Sequence, residues 1–134
     1  MCGVRRKLGD AELEIMQVIW KSGEAVTSNY ILKELQGRRK WQLSTLMTSL
    51  SRLCDKEFVT CDRSKGMNLY MALVSENDYK MKEGRHFLQR LYDNSVRNLV
   101  ATLYGNDVLA DADIQELRQF LDEIEEKSDG EKSS

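Results

Sequence analysis

The stretch from Trp41 to Leu73 constrains the fold more than any other part of the chain. Leu46, Leu50 and Leu53 fall at i, i+4 and i+7, a single apolar stripe along a helix predicted from about Leu43 to Lys56. The opposite face carries Ser44, Thr45, Thr48, Ser51 and Arg52, with few acids and few bulky apolar groups. Phe58 to Asp62 and Met67 to Leu73 then read as two strands, joined by the basic turn Arg63-Ser64-Lys65-Gly66. A helix that buries one side, offers small hydroxyls on the other and runs straight into a hairpin leaves few folds open.

What precedes this stretch narrows them further. A first helix is predicted from about Asp10 to Lys21, with Leu13, Met16, Ile19 and Trp20 on one face, Asp10 as its N-cap and Gly23 closing it. A second begins at Thr27 or Ser28, both good capping residues, carries Ile31, Leu32 and Leu35, and stops at Gly37 before Arg38-Arg39-Lys40. The chain contains no proline, so glycine does most of the punctuation. Helix, helix, turn, helix and hairpin is the plan of a winged helix-turn-helix. In a generic three-helix bundle with an appended hairpin, the outer face of the third helix should be charged; here it is serine and threonine, which bond phosphates or base edges without steric bulk.

Beyond Leu73, Ser75-Glu76-Asn77-Asp78 resembles a capping box that opens a long helix to about Tyr104. Phe87, Leu88, Leu91, Tyr92, Val96, Leu99, Val100 and Leu103 recur along it at three- and four-residue steps before Gly105-Asn106-Asp107 breaks it. Asp111 is placed to cap a last helix with the stripe Ile114, Leu117, Leu121 and Ile124. A helix of roughly thirty residues spans about 45 Å and must bury its stripe either on the N-terminal domain or on a second copy of the chain. Its length beside a short partner helix favours an intertwined homodimer, with Phe87, Leu88, Leu91, Tyr92, Leu99, Leu103, Leu117 and Leu121 at the interface. The expected fold class is mainly α with a small β-hairpin wing. Residues 1–74 form a winged helix-turn-helix, 75–126 a helical dimerisation domain and 127–134 a flexible polar tail.

Composition excludes several function classes. The 134 residues are 41% hydrophobic and 31% charged, and no apolar run approaches the roughly 20 residues of a membrane span. Met1 to Lys7 is basic but lacks the apolar core of a signal peptide, so a cytoplasmic location with no membrane partner is expected. Cys2, Cys54 and Cys61 are odd in number and show no CxxC spacing. With His86 the sole histidine, no metal site and no cofactor are expected, and reduced, partly buried thiols are the simpler reading. Without a glycine-rich phosphate loop or a candidate catalytic group, the chain does not read as an enzyme. The formal charge of −2 hides an asymmetry: residues 1–74 carry +4 and residues 75–134 carry −6. A basic front and an acidic back fit a nucleic-acid-facing domain joined to one that faces something else.

On this reading the bases are contacted by Ser44, Thr45, Thr48 and Arg52, with Gln42 at the helix entrance. The Arg52 fork suits a guanine edge, a phosphate or an intramolecular carboxylate alike. Met47 suits a thymine methyl or a packed position facing solvent. Arg38, Arg39, Lys40, Ser51, Arg63 and Lys65 are placed to meet phosphates, or else are ordinary solvated surface. Trp20 and Trp41 read as core, and His86 as a surface or interface residue.

Several of these segments resemble one family. Leu8 to Trp20 resembles the opening helix of the penicillinase and methicillin-resistance repressors, Ser44 to Leu53 their recognition helix, Tyr70 to Val74 their closing wing strand, and Leu109 to Leu117 with Arg118 their final dimerisation helix. The likeness covers about residues 8–124 in the right order and spacing. It implies a cytoplasmic homodimeric repressor that binds an inverted repeat of double-stranded DNA. In one branch of the family a β-lactam sensor triggers proteolysis at an Asn-Phe bond; the matching position here reads Thr102-Leu103, so no regulatory protease or sensor is named for this chain. A copper-responsive branch carries paired C-x-C motifs near the C-terminus, whereas the last cysteine here is Cys61. Gln42 and Leu43 sit where relatives often place a Ser/Thr cap and a proline or aromatic residue, and Glu57 where a glycine commonly follows the recognition helix. The alternative is a protein-interaction or thiol-responsive module on the same fold, working through Cys54 or Cys61. It would present more aromatics and leucines on the face of residues 42–52 than this chain does.

Overall fold

Helix α1 (Asp10–Ser22) supplies the platform on which the N-terminal part of the protein is built. Its Ile15, Met16 and Ile19 are buried, and it packs against the second and third helices and the sheet. The computed structural model describes residues 7–37 and 40–132, the last four by backbone alone. Within them α1 is followed by β1 (Val26–Thr27), α2 (Ser28–Leu35), α3 (Leu43–Asp55), β2 (Val59–Asp62), β3 (Leu69–Ala72), α4 (Glu76–Tyr92), α5 (Val96–Gly105) and α6 (Asp111–Lys132). The fold class is the expected one, mainly helical with a small antiparallel sheet. Two compact units are present, one ending at Glu83 and the other beginning at Gly84.

Local chemistry sets most helix ends. Gly23 closes α1 at φ 72°, a left-handed conformation that glycine adopts without a Cβ penalty. The start of α1 departs from expectation. Gly9 is the N-cap and Asp10 the first helical residue; the Glu12 carboxylate reaches back to accept from Gly9 N–H at 2.9 Å. Thr27 caps α2 by accepting from Tyr30 N–H at 3.1 Å, and Ser75 caps α4 by accepting from Asp78 N–H at 3.0 Å. At α6 the expected cap Asp111 is itself helical, and Asp113 accepts from Ala110 N–H at 2.9 Å instead. In both corrected cases an acidic residue in the first turn does the capping in reverse, a role that sequence spacing does not separate from the forward one.

The sheet has three strands, in the order β1-β3-β2, where the sequence suggests only a hairpin. Val26 pairs with Tyr70 and Thr27 with Leu69, so β1 closes the free edge of β3. Two residues are too few to carry a period, and Thr27 already serves as the α2 cap; the pairing is a tertiary event. On the other edge Val59 pairs with Ala72 and Asp62 with Leu69.

The long helix expected up to Tyr104 is two helices. Asp93 and Asn94 take φ 54° and 67°, Asn94 N–H donates to Leu88 O, and Ser95 caps α5 through Asn98 N–H at 3.1 Å. Asp and Asn tolerate the left-handed region better than other side chains, and serine is a strong N-cap. Tyr92-Asp93-Asn94-Ser95 is therefore a stop-and-restart signal set inside an apolar period that runs across it. The break at Gly105-Asn106-Asp107 falls where expected, with Asp107 at φ 59°.

The core lies in the first unit. Ile31 and Leu35 of α2, Leu46, Leu50 and Leu53 of α3, and Phe58, Val59 and Tyr70 of the wing are buried with the α1 residues. Trp20 packs on Tyr79 at 5.9 Å and donates its indole N–H to Val74 O at 2.8 Å, while Tyr79 meets Phe58 edge-on at 5.8 Å. One ion pair ties α1 to the end of α3: Lys56 Nζ lies 2.8 and 3.0 Å from the two carboxylate oxygens of Glu12. Burial by itself would raise the Glu12 pKa. The hydrogen bonds from Lys56 and Gly9, with the charges of Lys56 and Arg52, outweigh it and hold the carboxyl below its ordinary value.

A carboxylate whose folded pKa is depressed contributes stability that is present above the unfolded pKa and lost as pH falls through the folded one. Lys56→Met should cost about 1–3 kcal/mol at neutral pH. Urea midpoints compared from about pH 6 down to about pH 3 should show a smaller loss on acidification in this variant than in the parent chain.

Candidate nucleic-acid interface

Helix α3 is oriented by its own stripe. Leu46, Leu50 and Leu53 are fully buried, and even Ser49 is drawn in to 7% exposure, small enough to let the backbone approach its neighbours. Burying each leucine is worth about 1.5–3 kcal/mol, enough to fix the rotation of the helix about its axis. Ser44, Thr45, Thr48, Ser51 and Arg52 are consequently exposed together, along with Gln42 at the entrance. Met47 is 36% exposed on the same side. Thr48 Oγ1 donates to Ser44 O at 3.0 Å, which spends its proton inside the helix and leaves its methyl and lone pairs outward.

The turn into α3 is held from beneath. Trp41 is buried, its indole N–H points to Glu14 Oε1 at 3.4 Å, and its carbonyl accepts from Gln36 Nε2 at 3.1 Å. Trp41 is thus core, as expected, and its anchoring leaves Lys40 and Gln42 exposed on either side of it. Arg38 and Arg39, the other basic residues expected here, lie outside the described residues, as does Cys2.

From α3 the chain passes to the wing through a tight cap. Glu57 N–H donates to Cys54 O at 3.0 Å and Phe58 N–H to Leu53 O at 2.9 Å, the two bonds of a Schellman motif, with Glu57 at φ 65°. Phe58 and Leu53, at the positions whose side chains meet in this motif, are both fully buried. The wing turn is ordered by Asp62, whose Oδ1 accepts from Ser64 N–H at 2.9 Å and Ser64 Oγ at 2.7 Å; these two bonds lower its pKa. Gly66 completes the turn at φ 81°. Arg63 and Lys65 are exposed on it, and Ser51 and Lys40 are exposed as well. Sequence reasoning missed the part played by Asp62, although an Asp two residues before a Ser in a turn is a legible Asx signal.

Cys54 and Cys61 are half-buried free thiols, and burial raises the Cys54 pKa, with Cys61 and Asp55 adding to the rise and Arg63 opposing it. A reactive thiol needs the opposite shift. Among the described residues no group of three or more His, Cys, Asp and Glu side chains is arranged to hold a metal ion. His86 is exposed on α4. In the second unit Phe87, Leu91, Leu117 and Leu121 are 41%, 55%, 37% and 50% exposed, and Leu88, Tyr92, Leu99 and Leu103 are half-buried. Thr102 and Leu103 lie inside α5, where Thr102 Oγ1 donates to Asn98 O and Thr102 O accepts from Asn106 Nδ2.

The family model for the penicillinase repressor matches residues 8–123. The chain is 33% identical over 117 residues to the penicillinase repressor of Bacillus licheniformis, which covers 87% of this chain and 91% of that protein. It is 30% identical over 115 residues to the methicillin resistance regulatory protein MecI of Staphylococcus aureus, covering 86% and 93%. Among solved structures it is similar to the DNA-binding domain of the repressor BlaI, with a TM-score of 0.50 and 33% identity over 57% of this chain and 92% of that one.

Glu57 offers a direct test of the α3 cap. A side chain in the left-handed region costs roughly 1 kcal/mol. Glu57→Gly should therefore stabilise the protein by about 0.5–1 kcal/mol, read as a raised urea midpoint at unchanged slope.

Proposed function

The chain belongs to the penicillinase repressor family, and we propose that it represses transcription as a homodimer bound to an inverted-repeat DNA operator. The observation that carries this reading is the outer face of α3. Its hydroxyl groups and Arg52 are exposed together, with Leu43 and Met47 the exposed apolar side chains among them, while Leu46, Leu50 and Leu53 behind them are fully buried. A major groove admits a helix, and its base edges present the donors and acceptors that such side chains meet. Gln42, Ser44, Thr45, Met47, Thr48 and Arg52 read bases in this proposal; Arg38, Arg39, Lys40, Ser51, Arg63 and Lys65 neutralise or bond phosphates.

Residues 75–126 dimerise. Neither α4 nor α5 has a buried residue, and the apolar side chains from Phe87 to Leu121 gain cover from a second copy. Two recognition helices related by a two-fold axis then meet two half-sites of a palindrome. No described helix is long and apolar enough to cross a membrane, in keeping with a cytoplasmic regulator; the proposed role calls for no catalysis and no cofactor. Burial raises the Cys54 pKa, which disfavours Cys54 itself as a reactive thiol.

The test is a fluorescence-anisotropy titration of the full chain against DNA upstream of its own gene and of candidate promoters, with a scrambled competitor. Competitor-resistant binding of one dimer per inverted repeat is expected. The double variant Thr48→Ala with Arg52→Ala should lose this binding by about a hundredfold or more while sedimenting as the same dimer. Binding that is weak, salt-sensitive and indifferent to sequence at every promoter would overturn the proposal. In a separate variant, Arg63→Ala with Lys65→Ala should weaken all duplexes alike and flatten the plot of log affinity against log salt by about two or more.

A further inference from the structure

Among the described residues, five of the six helices have a side chain bonded at the N-terminus. Glu12, Thr27, Ser75, Ser95 and Asp113 supply those bonds for α1, α2, α4, α5 and α6. Helix α3 has none. Gln42 stands at its N-cap with φ −101° and ψ 147°, and its side chain makes no cap hydrogen bond. The carboxamide is exposed and engages no other group among the described residues, while the backbone carbonyl of the same residue accepts from Leu46 N–H at 3.0 Å. The helix thus forgoes a cap of the kind the other five possess, at the place where the chain enters the face proposed to meet DNA.

The remaining polar groups on that face differ from Gln42 in what they can specify. Thr48 has spent its hydroxyl proton on Ser44 O. Ser44, Thr45 and Ser51 each offer one hydroxyl, which serves as donor or acceptor to many base atoms. Only Gln42 and Arg52 can form two parallel bonds to one base edge. Arg52 lies ten residues further along the helix, about 15 Å, and its charge acts on the Glu12 carboxylate. The planar amide of Gln42 pairs a donor with an acceptor, matching adenine, whose N7 accepts and whose N6 amino group donates in the major groove.

We propose that Gln42 is the residue by which this chain selects an adenine in each operator half-site. The inference rests on the operator reading above and adds to it the base and the side chain that reads it. It also carries a consequence for stability: a serine at position 42 would regain a cap bond and lose the bidentate contact.

The experiment uses the full chain and two variants, Gln42→Ser and Gln42→Ala. Duplexes are selected from a randomised library by the parent protein, and each adenine in the winning duplex is then replaced, one at a time, by 7-deazaadenine, which lacks the N7 acceptor. Anisotropy titrations should show one adenine per half-site at which the replacement weakens the parent about tenfold and Gln42→Ser less than about twofold. Gln42→Ser should also melt at least as high as the parent, so its altered preference cannot come from misfolding. The proposal is overturned if 7-deazaadenine has no effect on the parent at any position, or weakens the parent and Gln42→Ser equally. If the parent enriches no sequence at all, the operator reading fails first and this one falls with it, an outcome distinct from the other two.

Discussion

Burial of Leu46, Leu50 and Leu53 is the interaction on which the rest of the candidate interface depends. Three fully buried leucines on one stripe fix the rotation of α3, and fixing that rotation is what turns Ser44, Thr45, Thr48 and Arg52 outward as a set. No polar contact could substitute for it, because an exposed hydrogen bond is worth about 1 kcal/mol and each leucine more. Replacing any one of them by alanine would remove about 2–5 kcal/mol, a large share of what holds a domain of this size together. Recognition and stability are in this sense the same stripe seen from its two sides.

Around that stripe, three small devices set the ends of α3. Trp41 anchors the incoming turn, the Glu12–Lys56 pair ties the outgoing end to α1, and the Schellman cap at Glu57 passes the chain into the wing. The last of these accepts a strained glutamate where glycine would be easier, which the buried pair Leu53 and Phe58 outweighs. The open N-terminus of the same helix is the counterpart: local stability is given up at the end proposed to enter the groove and retained at the end that holds the wing. The second unit follows another logic. Its helices are well capped but have little interior of their own, so the proposed dimer supplies the burial that the single chain does not.

Much of this was legible in the residues. The period of α1, α2 and α3, the glycine at position 23, the caps at Thr27 and Ser75, and the basic hairpin all follow from local rules acting over a few residues. The break at Asp93-Asn94-Ser95 was also written locally, yet an apolar period running through it concealed it. Periodicity records which face is buried; it does not record whether the backbone is continuous, because two helices in register share one stripe.

The amino-acid sequence by itself determined the helices, the wing and the chemical character of the α3 face, since each depends on side-chain pattern within one or two turns. The tertiary structure alone decided the third strand and the Glu12–Lys56 clamp. Each of these joins groups whose meeting no local period encodes. Val26 finds Tyr70 and Glu12 finds Lys56 across forty-four residues in each case, and only packing of the intervening core brings either pair within reach.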